Sequence, residues 1–194
     1  MEKITNASIL PVTRQHLEMG VHVMADIKRD GQGGIIHREK YLTFNLADEQ
    51  YGLEILKVRE IIGLMTITTV PQTPDFVRGV INLRGKVIPI IDLRTKFGIE
   101  TIEDTEQTCI IVVDFMGDQN SIQMGIIVDS VSEVLDIDVN DIDDPPRFSN
   151  AVTTSFIKGI AKTKDGVKIL LEIEDVLTTD EIQGLPATDA DEAL

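Results

Sequence analysis

An internal repeat constrains the fold of this chain more strongly than any other feature of its sequence. The matched positions are Gly52-Leu53-Glu54-Ile55 with Gly125-Ile126-Ile127-Val128, Val58 and Glu60 with Val131 and Glu133, Arg78-Gly79-Val80 with Lys158-Gly159-Ile160, and Gly85 and Ile88 with Gly166 and Ile169. The offset is 73 residues for the first two sets, 80 for the third and 81 for the last, which implies one small insertion. The preserved order predicts two similar units of about 55 to 70 residues, each with about five short strands.

The residues available for a core are typical of strands. Hydrophobic residues make up 42% of the chain, but only 4% of residues are aromatic and Trp is absent, so Ile, Val and Leu must fill the core. Side chains branched at Cβ pack well on a pleated surface. A small five-stranded antiparallel unit buries most apolar surface when it curls into a barrel, because closure removes exposed edges. We therefore predict an all-β fold, mainly β with a few short helices, in which two five-stranded barrels pack together.

Local patterns place individual elements along the chain. YLTFNL, residues 41–46, alternates apolar and polar side chains, which is typical of a half-buried strand. MTITTV, residues 65–70, indicates a further strand. DLRTKFG, residues 92–98, predicts a short helix with Asp92 as its N-cap and Gly98 beyond its end.

The two ends of the chain lie outside the strand pattern. Residues 1–38 are mixed in charge and end in a glycine-rich stretch, so we predict a flexible N-terminal arm. Residues 181–194 include a run of small and acidic residues, which predicts a disordered acidic tail.

The charge of the chain argues against two classes of partner. With 33 acidic and 18 basic residues, the net charge is −15 at pH 7. Nucleic acids and anionic lipid surfaces attract basic proteins, so we predict that neither is a direct partner. The chain has no apolar span long enough for a membrane helix, and its N-terminus lacks the pattern of a signal peptide. The single cysteine, Cys109, lies in an apolar run and is predicted to be a buried, inert thiol, so these features favour a reducing cytoplasm.

Familiar catalytic and metal-binding patterns are missing from the sequence. All three histidines lie within residues 1–38, without the i, i+4 spacing of a zinc site. Phosphate-binding and nucleophile motifs of the GxxxxGK(S/T), GxGxxG and GxSxG types do not occur. Asp141, Asp143 and Asp144 lack the glycine and terminal glutamate of a calcium loop. We predict no metal, no cofactor and no catalytic residues.

The stretch VRGVINLRGKVIPIIDLR, residues 77–94, predicts a strand hairpin with an unusual run of positive charge. It is apolar at almost every second position and carries four basic residues against one acid. Period two places Val77, Gly79, Ile81 and Leu83 toward the core and Arg78, Val80, Asn82 and Arg84 on the other face. The spacing alone favours an ordinary solvated face, and the alternative is an interface centre, which typically mixes Arg with apolar residues.

The same hairpin resembles the signature of the CheW family of bacterial chemotaxis adaptors. YGLEILKVREII at residues 51–62 is similar to an earlier segment of that family, and VPQTPDFVRG at 70–79 is similar to its linking loop. GIIVDSVSEVL at 125–135 and FIKGIAK at 156–162 match the second half. The resemblance covers about residues 38–180, and several of its motifs agree in order.

For the fold, the resemblance implies two SH3-like five-stranded β-barrels packed together in one CheW-like domain, residues 39–180. The first subdomain is expected at roughly residues 39–98 and the second at roughly 107–178, with strand exchange between the halves left open. This expectation agrees with the internal repeat.

For the function, the resemblance implies an adaptor without catalytic activity. CheW-like proteins join the cytoplasmic tips of chemoreceptors to the histidine kinase CheA, whose regulatory domain has the same fold. By similarity, receptor contact maps onto Val58, Glu60, Gly79, Arg84 and Val131. The kinase-facing residues are not tied to a motif and stay unknown. Pairing of like barrels also allows rings that contain other CheW-like modules, attached to membrane-bound receptor arrays through their partners.

Several alternatives stay open at this point. CheV-like proteins add a receiver domain and CheA adds phosphotransfer and ATP-binding domains; with no length for either in 194 residues, a stand-alone coupling protein is expected. An adaptor of another receptor–kinase pathway, or a small ligand-binding or enzymatic β-barrel, would be the rival functions. Arg84 itself has two candidate roles, since its guanidinium could contact the receptor or form an internal pair that shapes the groove.

Overall fold

The computed structural model describes residues 28–29, 35–116, 121–145 and 155–185. The strands are β1 Lys28–Arg29, β2 Ile35–Ile36, β3 Arg38–Leu46, β4 Glu49–Glu54, β5 Val58–Gly63, β6 Val77–Leu83, β7 Lys86–Asp92, β8 Cys109–Met116, β9 Ser121–Val128, β10 Ser130–Asp138, β11 Ile142–Asp143, β12 Ile157–Thr163 and β13 Gly166–Leu171. The α-helices are α1 Leu93–Lys96 and α2 Thr179–Gln183, and short 3-10 turns lie at Ile55–Lys57, Val139–Asp141 and Ile173–Asp175. The fold is mainly β with short helices, which confirms the predicted fold class.

Two large sheets form the body of the protein. The larger has the order β10-β3-β4-β13-β12-β11, the smaller has the order β5-β8-β9-β7-β6, and β1 pairs separately with β2. Neighbouring strands are antiparallel except for β4 with β13 and β7 with β9, which are parallel. Each large sheet therefore has one parallel pair near its middle.

Within the described residues, the chain crosses from one large sheet to the other twice. After β4 it leaves the six-stranded sheet and enters β5 of the five-stranded sheet, and after β9 it returns to the six-stranded sheet as β10. Each sheet consequently contains strands from both of the predicted halves, 39–98 and 107–178. The six-stranded sheet combines β3 and β4 with β10 to β13, and the five-stranded sheet combines β5 to β7 with β8 and β9. The subdomain boundaries themselves stay a prediction.

Strand register confirms the internal repeat at two offsets. In the parallel pairs, Gly52 lies opposite Leu170 and Gly125 lies opposite Ile90, so the glycines correspond at an offset of 73 residues and their partners at 80. A side chain at either glycine would collide with the strand alongside. A Cβ on Gly52 would lie 2.8 Å from Leu170 Cδ2, and one on Gly125 would lie 2.5 Å from Ile90 Cδ1.

The predicted step in the repeat offset from 80 to 81 is wrong. The β6–β7 hairpin closes on the pair Leu83–Lys86, and the β12–β13 hairpin closes on the pair Thr163–Gly166. Both turns have the same length, so the offset stays at 80 and Gly166 corresponds to Lys86 rather than Gly85. The sequence match between Gly85 and Gly166 arises because each hairpin has a glycine at its turn, and the glycine of the second hairpin lies one position later than that of the first.

The hydrophobic core has three parts. A central cluster lies between the two sheets and is built from both, including Phe44 of β3 and Val113 of β8. A second cluster lies against the five-stranded sheet and contacts all five of its strands, as in an SH3-like barrel; its buried members are Ile81, Ile88, Ile90, Ile110, Val112 and Ile127, with Ile62 partly buried. A smaller third cluster, Tyr41, Ile137, Ala161 and Leu170, lies against the six-stranded sheet.

The sheets are open rather than closed barrels. Among the described residues, the edge strands β5 and β6 do not pair with each other, and neither do β10 and β11. The six-stranded sheet also exceeds the predicted five strands because the two-residue strand β11 adds to the β12 edge.

Two local predictions require correction. The strand at 41–46 is not half-buried as predicted but buried on both faces: Tyr41 and Thr43 are as inaccessible to solvent as their neighbours. The reason is that β3 has a hydrophobic cluster on each side. Residues 65–70 form no strand; they make a single bridge between Thr68 and Val80. Pro71, which follows closely, cannot donate a backbone hydrogen bond and limits further pairing.

The helix prediction at residues 92–98 is confirmed. The Asp92 carboxylate accepts hydrogen bonds from the backbone N–H groups of Arg94 and Thr95, as an N-cap does. Gly98 has a φ of 68°, the left-handed conformation typical of a residue after a helix.

The predicted arm and tail lie mostly outside the described residues. Of the arm 1–38, only 28–29 and 35–38 are described. Of the tail 181–194, residues 181–185 belong to α2 and the turn after it, and 186–194 lie outside the described part. None of the helices in the described part of the chain is long and apolar enough to span a membrane.

Candidate protein-binding surface

An ion pair between Glu60 and Arg84 is the most prominent feature of the surface predicted to bind a receptor. Arg84 Nη1 donates to Glu60 Oε1 at 2.8 Å, and Nη2 donates to Oε2 at 2.7 Å. The Glu60 side chain is only 17% exposed, whereas that of Arg84 is 70% exposed. The carboxylate therefore fixes the orientation of the guanidinium from beneath and leaves it facing solvent.

This pair also joins the two edges of the five-stranded sheet. Glu60 lies on the edge strand β5, and Arg84 lies in the turn between β6 and β7, at the opposite edge of the strand order. Arg84 has a φ of 54°, a left-handed conformation that is uncommon outside glycine. An exposed pair of this kind adds at most about 1 kcal/mol of stability, so its main consequence is geometric.

Gly79 supports the same surface through its backbone. It lies at a bulge in β6 with a φ of 138°, next to the bridge in which Thr68 and Val80 exchange two backbone hydrogen bonds of 2.9 Å. A Cβ at Gly79 would lie 2.1 Å from the Thr68 carbonyl oxygen. The glycine thus lets the segment before Pro71 approach β6 closely.

Val58 and Val131 occupy equivalent positions in the two sheets. Val58 of β5 lies opposite Val113, and Val131 of β10 lies opposite Phe44. Both valines are partly buried against the central hydrophobic cluster. Of the five predicted receptor-binding residues, the structure brings Glu60 and Arg84 into direct contact, places Val58 on the same strand as Glu60, and places Val131 in the other sheet.

Two other arginines of the positive hairpin are matched by acids. Arg78 donates to Asp92 at 3.1 Å and to Asp104 at 2.9 Å, and Arg94 Nε donates to Asp129 at 2.7 Å. Asp92 is the one acid of the stretch 77–94 itself, whereas Asp104 and Asp129 lie outside it, so a count of charges within the stretch could not find them. Arg84 differs from both, because most of its side chain remains exposed.

A pair of glutamates that the sequence analysis did not identify lies after β13. The hydrogen bond to Glu174, together with burial and the charge of Glu174, raises the pKa of Glu172 to about 7. Burial works against ionisation of Glu174, but the hydrogen bonds from Glu172 and Lys57 outweigh it and lower the pKa of that carboxyl. Glu172 is therefore partly protonated near neutral pH.

This proton makes stability depend on pH. Because the pKa of Glu172 is raised on folding, the folded state binds the proton more tightly, and the resulting stabilisation is lost as pH rises through about 7. We expect the free energy of unfolding to fall between pH 6 and pH 8 by less than about 1 kcal/mol, since the side chain is partly solvated. Urea denaturation at both pH values measures this, and Glu172→Gln should remove the difference. A wild-type difference that persists unchanged in Glu172→Gln would assign it to another group.

In the described part of the chain, the thiol and the acidic groups show no arrangement for metal chemistry. Cys109 is half-buried, and burial raises its pKa to about 11, so the thiol stays protonated at neutral pH. Within residues 28–29, 35–116, 121–145 and 155–185, no three His, Cys, Asp or Glu side chains are placed to hold a metal ion. The absence of a metal or cofactor stays a prediction for the whole chain.

The fold and this surface define a β-sheet module with a preoriented, solvent-facing arginine suited to binding another protein. A family model described as the CheW-like domain matches residues 40–181. The chain belongs to the CheW-like family, which confirms the resemblance found in the sequence.

Individual relatives agree with this assignment. The chain is 39% identical over 144 residues to a chemotaxis protein CheW of Klebsiella aerogenes, covering 74% of this chain and 84% of that protein. A crystal structure of the scaffolding protein TtCheW from Thermoanaerobacter tengcongensis matches with a TM-score of 0.67 and 40% identity, over 74% of this chain and 95% of that one. Chemotaxis protein CheV3 of Helicobacter pylori is 31% identical, over 66% of this chain but only 40% of its own length.

Proposed function

We propose that the protein is a non-catalytic chemotaxis adaptor that couples methyl-accepting chemoreceptors to the histidine kinase CheA. Family membership supports this proposal, since relatives matching most of the chain are chemotaxis proteins and one solved relative is a scaffolding protein. The single structural observation that carries it is the exposed guanidinium of Arg84, held by Glu60.

The Glu60–Arg84 pair suits a helical receptor tip as its partner. An arginine has five N–H donors, and Glu60 occupies one on each terminal nitrogen, so three remain for carboxylates or carbonyl oxygens of a docked helix. Val58 on the same strand packs against the central hydrophobic cluster, and Gly79 lets the segment at Thr68 approach β6, the strand that precedes Arg84. Recognition of a helix by an apolar groove with charged groups at its rim is a common binding mode.

The two readings of Arg84 are then compatible. Glu60 holds the guanidinium, which shapes the surface, and the remaining donors contact the receptor. Val131, on β10 of the six-stranded sheet, belongs to this proposal as an outer contact.

The kinase is proposed to bind elsewhere on the molecule, through its regulatory domain. A partner built from similar sheets can pair with sheet edges and exposed apolar residues, and Val87 and Val167 are two such exposed residues at repeat-equivalent positions. Such pairing of like modules closes into rings, where weak contacts gain from multivalency. We place the protein in the cytoplasm, where it joins receptor arrays through its partners. Its net charge of −15 argues against direct contact with nucleic acid or anionic lipid.

Direct binding measurements test this proposal. Purified full-length protein is titrated with a soluble chemoreceptor cytoplasmic fragment and, separately, with CheA, in a calorimeter. We expect saturable binding to each, with dissociation constants on the order of 10 μM, because array contacts are individually weak. If the protein bound neither partner, the proposal would be contradicted. If it bound only a kinase from another receptor system, it would instead be an adaptor of that pathway.

A further inference from the structure

Two ion pairs outside the receptor surface hold the two segments that cross between the sheets. The first crossing is the 3-10 turn Ile55–Lys57, which connects β4 to β5. The second is the single residue Asp129, which connects β9 to β10. At each crossing, the chain leaves a strand that has a parallel neighbour in its sheet. The crossing residue pairs with a side chain from the short helix or turn that comes directly after that neighbouring strand in the chain.

At the first crossing, the Lys57 ammonium contacts the Glu174 carboxylate. Glu174 lies in the 3-10 turn after β13, and β13 is the parallel neighbour of β4. The side chains are 31% and 22% exposed, so the pair is screened less than one at the open surface. The two residues are 117 positions apart in the chain.

At the second crossing, Asp129 contacts Arg94 of α1, the helix after β7, and β7 is the parallel neighbour of β9. Arg94 Nε donates to Asp129 Oδ1 at 2.7 Å, and the Ala47 backbone N–H donates to Asp129 Oδ2 at 2.8 Å. Glu174 corresponds to Arg94 at the repeat offset of 80 residues. Both crossings are therefore held in the same way, with the signs of charge reversed.

We infer that Lys57–Glu174 and Arg94–Asp129 are positioning pairs that fix how β5 and β10 leave one sheet and enter the other. Val58 directly follows Lys57, and Glu60 lies two residues further on, so the first pair sets the strand that carries the receptor surface. The ladder to β8 fixes β5 along its length, and the Lys57 pair fixes the point at which it enters. The functional part of this inference rests on the proposed receptor binding.

Charge reversal at the first crossing tests the inference. In Lys57→Glu, the new carboxylate would face Glu174 and its neighbour Glu172, so we expect the pair to open. Affinity for the receptor fragment should fall about fivefold or more, while affinity for CheA stays within about twofold, because only β5 is displaced. The double variant Lys57→Glu/Glu174→Lys restores opposite charges and should recover receptor affinity to within about twofold of wild type.

A control pair tests whether losing any ion pair lowers receptor affinity, or only losing the pair that positions β5. Lys40 and Asp136 contact at 2.8 Å within the paired strands β3 and β10, away from both crossings. Lys40→Glu should leave receptor affinity unchanged. Wild-type receptor affinity in Lys57→Glu, or no recovery in the double variant, would overturn the inference.

A second readout does not depend on receptor binding. Amide hydrogen exchange across residues 58–63 should be about tenfold faster in Lys57→Glu and should return to the wild-type rate in the double variant. Unchanged exchange in Lys57→Glu would overturn the positioning role even if receptors bind. Failure of the wild-type protein to bind receptors, with exchange behaving as expected, would instead count against the proposed function.

Discussion

Gly79→Ala is expected to lower the free energy of unfolding by about 3 kcal/mol or more. Two costs combine at this position. The backbone φ of 138° is one that residues with a Cβ rarely adopt, and the added Cβ would lie 2.1 Å from the Thr68 carbonyl oxygen. The clash is with backbone, so relief requires breaking the two hydrogen bonds between Thr68 and Val80. Urea denaturation of the purified variant measures the loss.

Gly85→Ala is the matched control for the steric part of that effect. Gly85 also has a positive φ, 88°, but a Cβ there would meet no atom within 4 Å. We expect a loss of only about 1 kcal/mol, from the backbone conformation alone. If Gly79→Ala were no less stable than Gly85→Ala, the segment at Thr68 would move aside freely, and Gly79 would not define this part of the surface.

Arg84→Glu is expected to reduce receptor-dependent activation of CheA about tenfold or more while the fold stays intact. The substitution removes the guanidinium and places a carboxylate beside Glu60, so both the contact and its support are lost. Stability should change by less than about 1 kcal/mol, because the Arg84 side chain is largely exposed. Kinase activity with receptors present, measured beside a urea melt of the same sample, checks both parts.

The swapped variant Glu60→Arg/Arg84→Glu distinguishes the two roles of Arg84. It rebuilds an ion pair between the same positions but presents a carboxylate where the receptor meets a guanidinium. We expect activation to stay low, as in Arg84→Glu. Recovery of wild-type activation would show that the pair only holds the sheet edges together and that the receptor does not contact Arg84.

Periodicity and repetition made much of the fold predictable. Alternation in residues 77–94 predicted the β6–β7 hairpin and its inward side chains, and Val77 and Ile81 are buried as expected. The matched glycines Gly52 and Gly125 helped to predict two similar units, because each lies at the equivalent position of a parallel strand pair, where a side chain would collide with the neighbouring strand. These signals are local, or depend on similarity between segments, and both can be read from a single chain.

Strand exchange and ion pairing were harder to predict for physical reasons. A short crossing such as Asp129 has no sequence pattern that tells which sheet the next strand enters. Partners such as Arg94 and Asp129, or Lys57 and Glu174, are brought together only by tertiary structure. The surface residues Val58, Glu60, Gly79, Arg84 and Val131 came from family resemblance, and their role in binding remains a proposal.

Reconstitution of the three-component complex tests the central claim most directly. Vesicles carrying chemoreceptors are mixed with CheA, with or without the purified full-length chain, and the rate of kinase autophosphorylation is measured. The proposed coupling role predicts a rise of about tenfold or more that needs both receptors and this protein, and that attractant removes. A kinase rate that does not change when the protein is added, under conditions where it binds both partners, would contradict coupling.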